Sequence, residues 1–204
     1  YISLNPQTPD SRLLGFLDAN GNYRDTVFHR LYSGGGVFCI DELDNASPSL
    51  LTTLNSMLEN GIGAFPSGMV DRHADFVVVA TGNTVGKGAN PQFPERRPFD
   101  AAFAERFSYL EWGYDARLES AIALGINPKA EPWVAWVRKI REWSKVNAPR
   151  LVVSPRASFK GADYLRDSTW KLEEIAESVL FKGMESDLRS SLLNSNPIPH
   201  VDRD

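Results

Sequence analysis

The sequence predicts an α/β fold, a parallel sheet flanked by helices, followed by an all-helical domain. Three observations carry that expectation. Two short apolar runs, "GVFCID" ending at Asp41 and "FVVVA" ending at Ala80, have the length and β-branched content of strands buried in a parallel sheet. A helical pattern separates them, as a crossover between parallel strands requires. Beyond Gly113 the apolar residues fall at helical spacing and no long strand is convincing, so the character of the chain changes there. The expected domains are therefore residues 1–113 and 114–204.

Each element can be justified in turn. Residues 2–4, "ISL", are a short strand candidate. The stretch after it is punctuated by Gly15, Gly21 and Gly34 to Gly36, and within it "YRDTVFHRLY" spaces Val27, Leu31 and Tyr32 as a helix would. The run from Gly36 is expected to be buried on both faces, which makes Cys39 a small core residue. Ser47 is a suitable N-cap with Pro48 at the first helical position. Leu50, Leu51, Leu54, Met57 and Leu58 then share one face until Gly61 stops the helix. "GIGAFPSGMVDRHADF" reads as a loop or hairpin, and "RFSYLEW" as a third strand after a short helix around Phe99 to Glu105. Helices are expected over 115–124, 132–146, 155–166, 169–182 and 186–193, with "RLVVS" at 150–154 as an extended link. Trp133, Trp136 and Trp143 are expected to pack the helical domain.

Composition excludes several classes. A net charge of −4 with 42% hydrophobic residues is ordinary for a globular protein and gives no support to a general nucleic-acid-binding surface. No apolar run approaches the ~20 residues needed to cross a bilayer. The opening "YISLNPQTPD" lacks the basic region of a signal peptide. A single cysteine forms no internal disulfide, so a cytoplasmic location is expected. His29, His73 and His200 are scattered without ligand spacing, so no zinc site is expected. The chain starts without methionine, directly on strand-like residues, and reads as a piece of a longer protein.

The candidate chemistry begins at Asp41 and Glu42, adjacent carboxylates at the carboxyl end of a strand, where doubly wound sheets bind ligands. Such a pair can divide its labour, one residue holding Mg²⁺ and the next deprotonating a water. An ordinary acidic turn is the alternative. Asn83, after "ATG", would lie beside them if the two strands are neighbours, and could hydrogen-bond an attacking water or a phosphate oxygen; a turn-forming asparagine is the alternative. Gly82 to Gly88, "GNTVGKG", imitates a phosphate-binding loop. It has three residues rather than four between its first glycines and no Ser or Thr after Lys87. Arg156 sits in the first turn of a helix capped by Ser154, aimed at any anion near the helix start although its charge opposes the helix dipole.

Taken in order, "GGGVFCIDELDNASPSLLTTLNSMLENG", "FVVVATGNTVGKG", "PFDAAFAERFSYLEW" and "SPRASFKGADYL" resemble consecutive motifs of AAA+ ATPases. The resemblance is closest to the branch containing MoxR proteins and the CobS cobaltochelatase subunit, and "TPDSRLLGFLDANGNYRDTVFHRLYSGGG" resembles the insert which that branch carries in its second helix. It implies a partial AAA+ αβα core followed by a helical lid, with ATP and Mg²⁺ as cofactors. Asp41 would match the Walker B aspartate that holds Mg²⁺, Glu42 the catalytic base, and Asn83 the sensor-1 residue. Arg106, in "AERF", would match the arginine finger that reaches a neighbouring subunit's nucleotide, and Arg156 the sensor-2 arginine. The resemblance also implies a homo-oligomeric ring, expected to be a hexamer, that remodels a protein partner; a nucleic-acid partner is not expected. It places the phosphate-binding loop and first central strand upstream of Tyr1, so these residues alone are expected to be inactive. For Arg106 the bland alternative is a salt bridge with Glu105 or Asp100, and for Arg156 a solvated side chain; of two readings for Arg96 and Arg97, a contribution at a subunit interface and an exposed basic turn, the turn is preferred. Two rival functions stand beside the ATPase: a non-hydrolysing assembly subunit and a nucleotide-driven nucleic-acid motor.

Overall fold

The computed structural model describes residues 1–202. It divides into two compact units, Tyr1–Leu110 and Glu111–Asp204. In the first unit β1 (Ile2–Ser3) leads through α1 (Ser11–Leu14) to a small hairpin of β2 (Phe16–Leu17) and β3 (Tyr23–Arg24), then to α2 (Val27–Gly34). There follow β4 (Gly36–Asp41), α3 (Pro48–Asn60), a second hairpin of β5 (Ile62–Phe65) and β6 (Gly68–Asp71), β7 (Phe76–Ala80) and α4 (Ala101–Ala104). The sheet is parallel, in the order β1-β4-β7. Ser3 pairs with Asp41, and Ile40 with Ala80, so the carboxyl ends of all three strands come level.

The helix boundaries follow from local chemistry. Thr26 caps α2 by accepting from the His29 amide at 3.1 Å, and Ser47 caps α3 by accepting from the Leu50 amide at 3.2 Å. Gly61 ends α3 in the left-handed conformation, with φ of 67°. Phe28 and Tyr32 of α2 and Leu50, Leu54 and Met57 of α3 then pack on Phe38, Ile40 and Phe76 of the sheet. Phe28 sits edge-on to Phe38 and to Phe76, at 5.1 and 5.6 Å between ring centres. Each such side chain, fully buried, contributes roughly 1.5–3 kcal/mol.

Two expectations about this unit require correction. The central strands are not buried on both faces. Side chains of a strand alternate between faces, and the core lies on only one of them, so Val37, Cys39, Val77 and Val79 are exposed. Nor does "RFSYLEW" form a strand. Phe107 instead stacks edge-on against Phe103, four residues back, at 5.4 Å, and no strand among the described residues takes up the backbone that follows.

The second unit is helical throughout: α5 (Ala116–Ile126), α6 (Glu131–Asn147), α7 (Pro155–Tyr164), α8 (Leu172–Ala176) and α9 (Ser186–Ser195). The helix expected from residue 169 starts later because Asp167 accepts from the Thr169 amide and hydroxyl, at 2.9 and 2.7 Å, and makes a turn there. It also finishes differently, passing into a π-helical turn at Glu177–Phe181. Trp133 and Trp136 are buried in the core of the unit and Trp143 packs against it. The indole N–H of Trp133 donates to the Ala157 carbonyl at 3.1 Å. A Cβ on Gly161 would stand 1.9 Å from that indole nitrogen, so glycine is what lets α6 and α7 approach so closely.

Beside this core lies a buried ion cluster. Glu119, only 1% exposed, accepts from Arg141 at 2.6 and 3.0 Å, from Arg138 at 3.1 Å and from the Ser158 hydroxyl at 2.6 Å. Arg141 also donates to the Val153 carbonyl at 2.7 Å, just ahead of α7. Burial alone would raise the Glu119 pKa, but the hydrogen bonds from Arg141, Ser158 and Arg138 outweigh it and hold the carboxyl at about 2.

Candidate functional site

The sheet ladder continues past its strands. The Thr81 amide donates to the Ile40 carbonyl at 2.8 Å and the Leu43 amide to the Thr81 carbonyl at 2.9 Å. Between these bonds Glu42 adopts the left-handed conformation, φ 56° and ψ 43°. For a residue with a Cβ this costs about 1–2 kcal/mol, and such strain is found where a structure must aim a side chain. Asp41 is held from two sides: the Thr81 hydroxyl donates to Oδ1, and the Tyr1 hydroxyl to Oδ2 at 3.1 Å.

Asp44 lies in the turn of Leu43–Asn45 and is buried. Its Oδ2 accepts from the Asn83 amide at 2.9 Å, the Thr84 amide at 2.9 Å and the Thr84 hydroxyl at 2.8 Å. A Cβ on Gly82 would come within 3.2 Å of the Asp44 carboxyl carbon, so the "TG" before Asn83 leaves room for this approach. The effect is to lock the Asn83 backbone beside the end of β4. The Asn83 side chain itself is exposed and has no hydrogen-bond partner among the described residues.

Arg96 completes the arrangement, and here the expectation of an exposed turn fails. Its side chain is 11% exposed; Nη2 donates to Glu42 Oε2 at 3.1 Å and Nε stands 3.7 Å from Asp44 Oδ2. The guanidinium lies over the Phe93 ring, 5.8 Å from its centre. Asn45 Nδ2 also donates to Glu42 Oε2, at 3.0 Å. Arg97 alone keeps the exposed position.

The segment is folded back by the Asn90 carboxamide, which accepts from the Gln92 and Phe93 amides at 2.9 and 2.8 Å. The Phe99 amide then donates to the Gly86 carbonyl at 2.8 Å. Gly86 has a φ of 68°, and a Cβ there would fall 2.1 Å from the Phe99 ring. The glycine-rich loop thus serves to seat residues 96–99.

The predicted site residues are therefore partly assembled. Asp41, Glu42 and Asn83 meet at the ends of β4 and β7. Arg106 does not join them: it pairs with Glu59 at 2.7 Å and reaches Asn55 at 3.4 Å, both on the second half of α3. Neither Glu105 nor Asp100 is that partner, and Asp100 caps α4 through the Ala102 amide. Arg156 belongs to the second unit, exposed in the first turn of α7, its amide donating to Ser154 Oγ at 3.3 Å. With Val152, Lys160, Val179 and Leu180 it lines an open hollow of about 130 Å³. Sequence reasoning missed Thr81, Asp44 and the inward role of Arg96. Only Asp44 left a signal, a third acid within "DELD".

The profile described as AAA domain (dynein-related subfamily) matches residues 1–107. The chain belongs to that family. The AAA match contains Asp41, Glu42, Asn83, Arg96 and Arg106, and Arg156 falls outside it. No curated protein sequence matches the chain. Among solved structures, an inferred ATPase from Cytophaga hutchinsonii ATCC 33406 is 14% identical with a TM-score of 0.42, over 98% of this chain and 77% of that one. NtrX from Brucella abortus is 14% identical with a TM-score of 0.45, over 95% of this chain and 56% of that one. Among the described residues no group of three or more His, Cys, Asp or Glu is placed to hold a metal, and no helix is long and apolar enough to cross a membrane.

Proposed function

We propose that this AAA domain is the nucleotide-hydrolysing module of a ring ATPase, a homo-oligomer and by resemblance a hexamer, that remodels a protein partner in the manner of MoxR and CobS. Residues 1–113 are then the core and 114–204 the lid. The supporting observation is the meeting of Asp41, Glu42 and the Asn83 loop at adjacent strand ends, with Glu42 held in a strained backbone conformation.

The donor set fits Mg²⁺ with ATP. Mg²⁺ favours oxygen ligands and is usually held by one or two carboxylates plus phosphates and water, not by a cage of protein ligands. Asp41 offers such a carboxylate beside the Thr81 hydroxyl. The bound nucleotide would supply an electrophilic phosphoryl group whose charge the metal partly neutralises. Glu42 is the general base, taking a proton from the attacking water. The Asn83 carboxamide orients that water or a phosphate oxygen. Arg106, permanently charged and planar, acts on the nucleotide of the adjoining subunit once released from Glu59, and Arg156 serves as the lid's phosphate contact. The 204 residues contain no G-x-x-x-x-G-K-[ST] loop, and Lys87 does not replace its lysine.

The test uses the full-length protein. Glu42→Gln should lower turnover by ~10²–10⁴-fold while leaving ATP binding by isothermal titration intact. Normal turnover in that variant overturns the assignment of Glu42. Absence of ATP binding in the wild type would instead favour the non-hydrolysing assembly subunit.

A further inference from the structure

We propose that Glu119 and Arg141 are positioning residues for the reaction: they fix the first turn of α7 and so set the line along which Arg156 reaches a phosphate. This rests on Arg156 being the lid's phosphate contact.

Arg156 is exposed, so the direction in which it leaves the helix is decided by the backbone that carries it. That backbone is tied down on both sides of the residue. Ahead of it, the Val153 carbonyl accepts from Arg141 Nε at 2.7 Å. Directly after it, the Ala157 carbonyl accepts from the Trp133 indole at 3.1 Å. Next along, the buried Ser158 hydroxyl donates to Glu119 Oε1 at 2.6 Å. The first and last of these ties meet in one ion pair, for Arg141 Nη2 donates to the same Oε1 at 2.6 Å and Nη1 to Oε2 at 3.0 Å. The guanidinium thus grips Glu119 with two nitrogens and the Val153 carbonyl with the third.

The pair is itself braced. Glu119 stands on α5, and Arg138 of α6 donates to its Oε2 at 3.1 Å and to the Ser120 hydroxyl at 2.9 Å. The Tyr114 ring, just ahead of α5, covers the Arg141 guanidinium at 4.9 Å. Stability alone gives little reason for such a cluster, because apolar residues of similar volume hold helices together as well as a buried ion pair, or better. What they lack is direction. A planar guanidinium fixes the carboxylate and the carbonyl around it at set angles. A phosphate contact needs such a fixed start, since a displacement of about 1 Å can cost a reaction ~10²-fold. Glu119 and Arg141 are both buried, so they act through Arg156 and not on the nucleotide.

Steady-state turnover of the full-length protein against ATP·Mg²⁺ concentration tests this, at a temperature where each variant is fully folded by circular dichroism. Arg141→Lys keeps the charge but cannot reach Glu119 and Val153 together. Ser158→Ala removes the hydroxyl of α7 and leaves the ion pair whole. Arg141→Lys should lower kcat/KM ~three- to tenfold, divided between kcat and KM in the proportion that Arg156→Ala shows, and Ser158→Ala should do so to a smaller extent. In an Arg156→Ala background Arg141→Lys should change kcat/KM by less than ~twofold, because the residue it aims is gone. A merely structural role predicts the same loss in either background. If Arg156→Ala lowers kcat/KM while Arg141→Lys leaves it unchanged, or lowers it equally with and without Arg156, the positioning role is overturned and Arg156 remains the phosphate contact. If Arg156→Ala itself leaves kcat/KM unchanged, both assignments fall. Should Arg141→Lys not fold, Ser158→Ala decides by the same criterion.

Discussion

Each unit of the molecule contains an arginine–carboxylate cluster, and the two are finished differently. In the helical unit both oxygens of Glu119 are taken, by Arg138, Arg141 and Ser158, and Arg141 Nε donates to the Val153 carbonyl. In the sheet unit Arg96 stands between Glu42 and Asp44, and its Nε and Asp44 Oδ1 are buried without a hydrogen-bond partner. The first cluster joins α5, α6 and the start of α7 in one arrangement. The second ties the end of β4 to a loop and is left incomplete. The difference teaches that clusters of the same residue types can be finished to different degrees, the less complete one being also the more exposed, with Glu42 40% exposed against 1% for Glu119.

That contrast can be broken at three points. The largest effect belongs to Glu119→Ala, which should cost ~3–5 kcal/mol in denaturant unfolding because it leaves two arginines facing an emptied buried site. Acid sharpens the same point. The Glu119 pKa is lowered in the fold from 4.5 to about 2, so its contribution is full above the unfolded value and disappears as pH falls toward 2. Helical circular dichroism should weaken across that window, and Glu119→Ala should lose that part of the acid response. The second point is Asp44→Ala, expected to cost about 2 kcal/mol by stranding the Asn83 and Thr84 amides. The smallest effect is that of Arg96→Met on stability, under ~1 kcal/mol, because Glu42 is partly exposed. A loss of 3 kcal/mol or more in that variant would make the sheet cluster a second fastening and erase the distinction.

What could be read from the sequence was what local chemistry decides. Ser47, Pro48 and Gly61 bound α3 by capping alone, and Ser154 with Pro155 does the same for the start of α7. The places of Asp41, Glu42 and Asn83 at the strand ends were legible because strands end where their apolar runs end. The failures all required knowledge of a neighbour. "RFSYLEW" has strand composition, but a strand exists only beside a partner. Cys39 sits in an apolar run, yet the alternation of the strand puts it on the face that the core does not use. Arg96 meets Glu42 across 54 residues, through a loop whose course depends on Asn90 and on the contact of Gly86 with Phe99. Nothing in "PERRPFD" announces which of its two arginines turns inward.

The bare side of the sheet has a consequence for how the chain behaves in solution. Val37, Cys39, Val77 and Val79 form a greasy strip, and it runs beside the outer edge of β7, whose backbone has no strand partner among the described residues. Apolar side chains next to an unpaired edge are the kind of surface that a further strand or helix covers. The lone thiol lies within that strip. Its rate of alkylation should therefore act as a gauge of coverage, fast while the strip is bare and slow once anything settles on it.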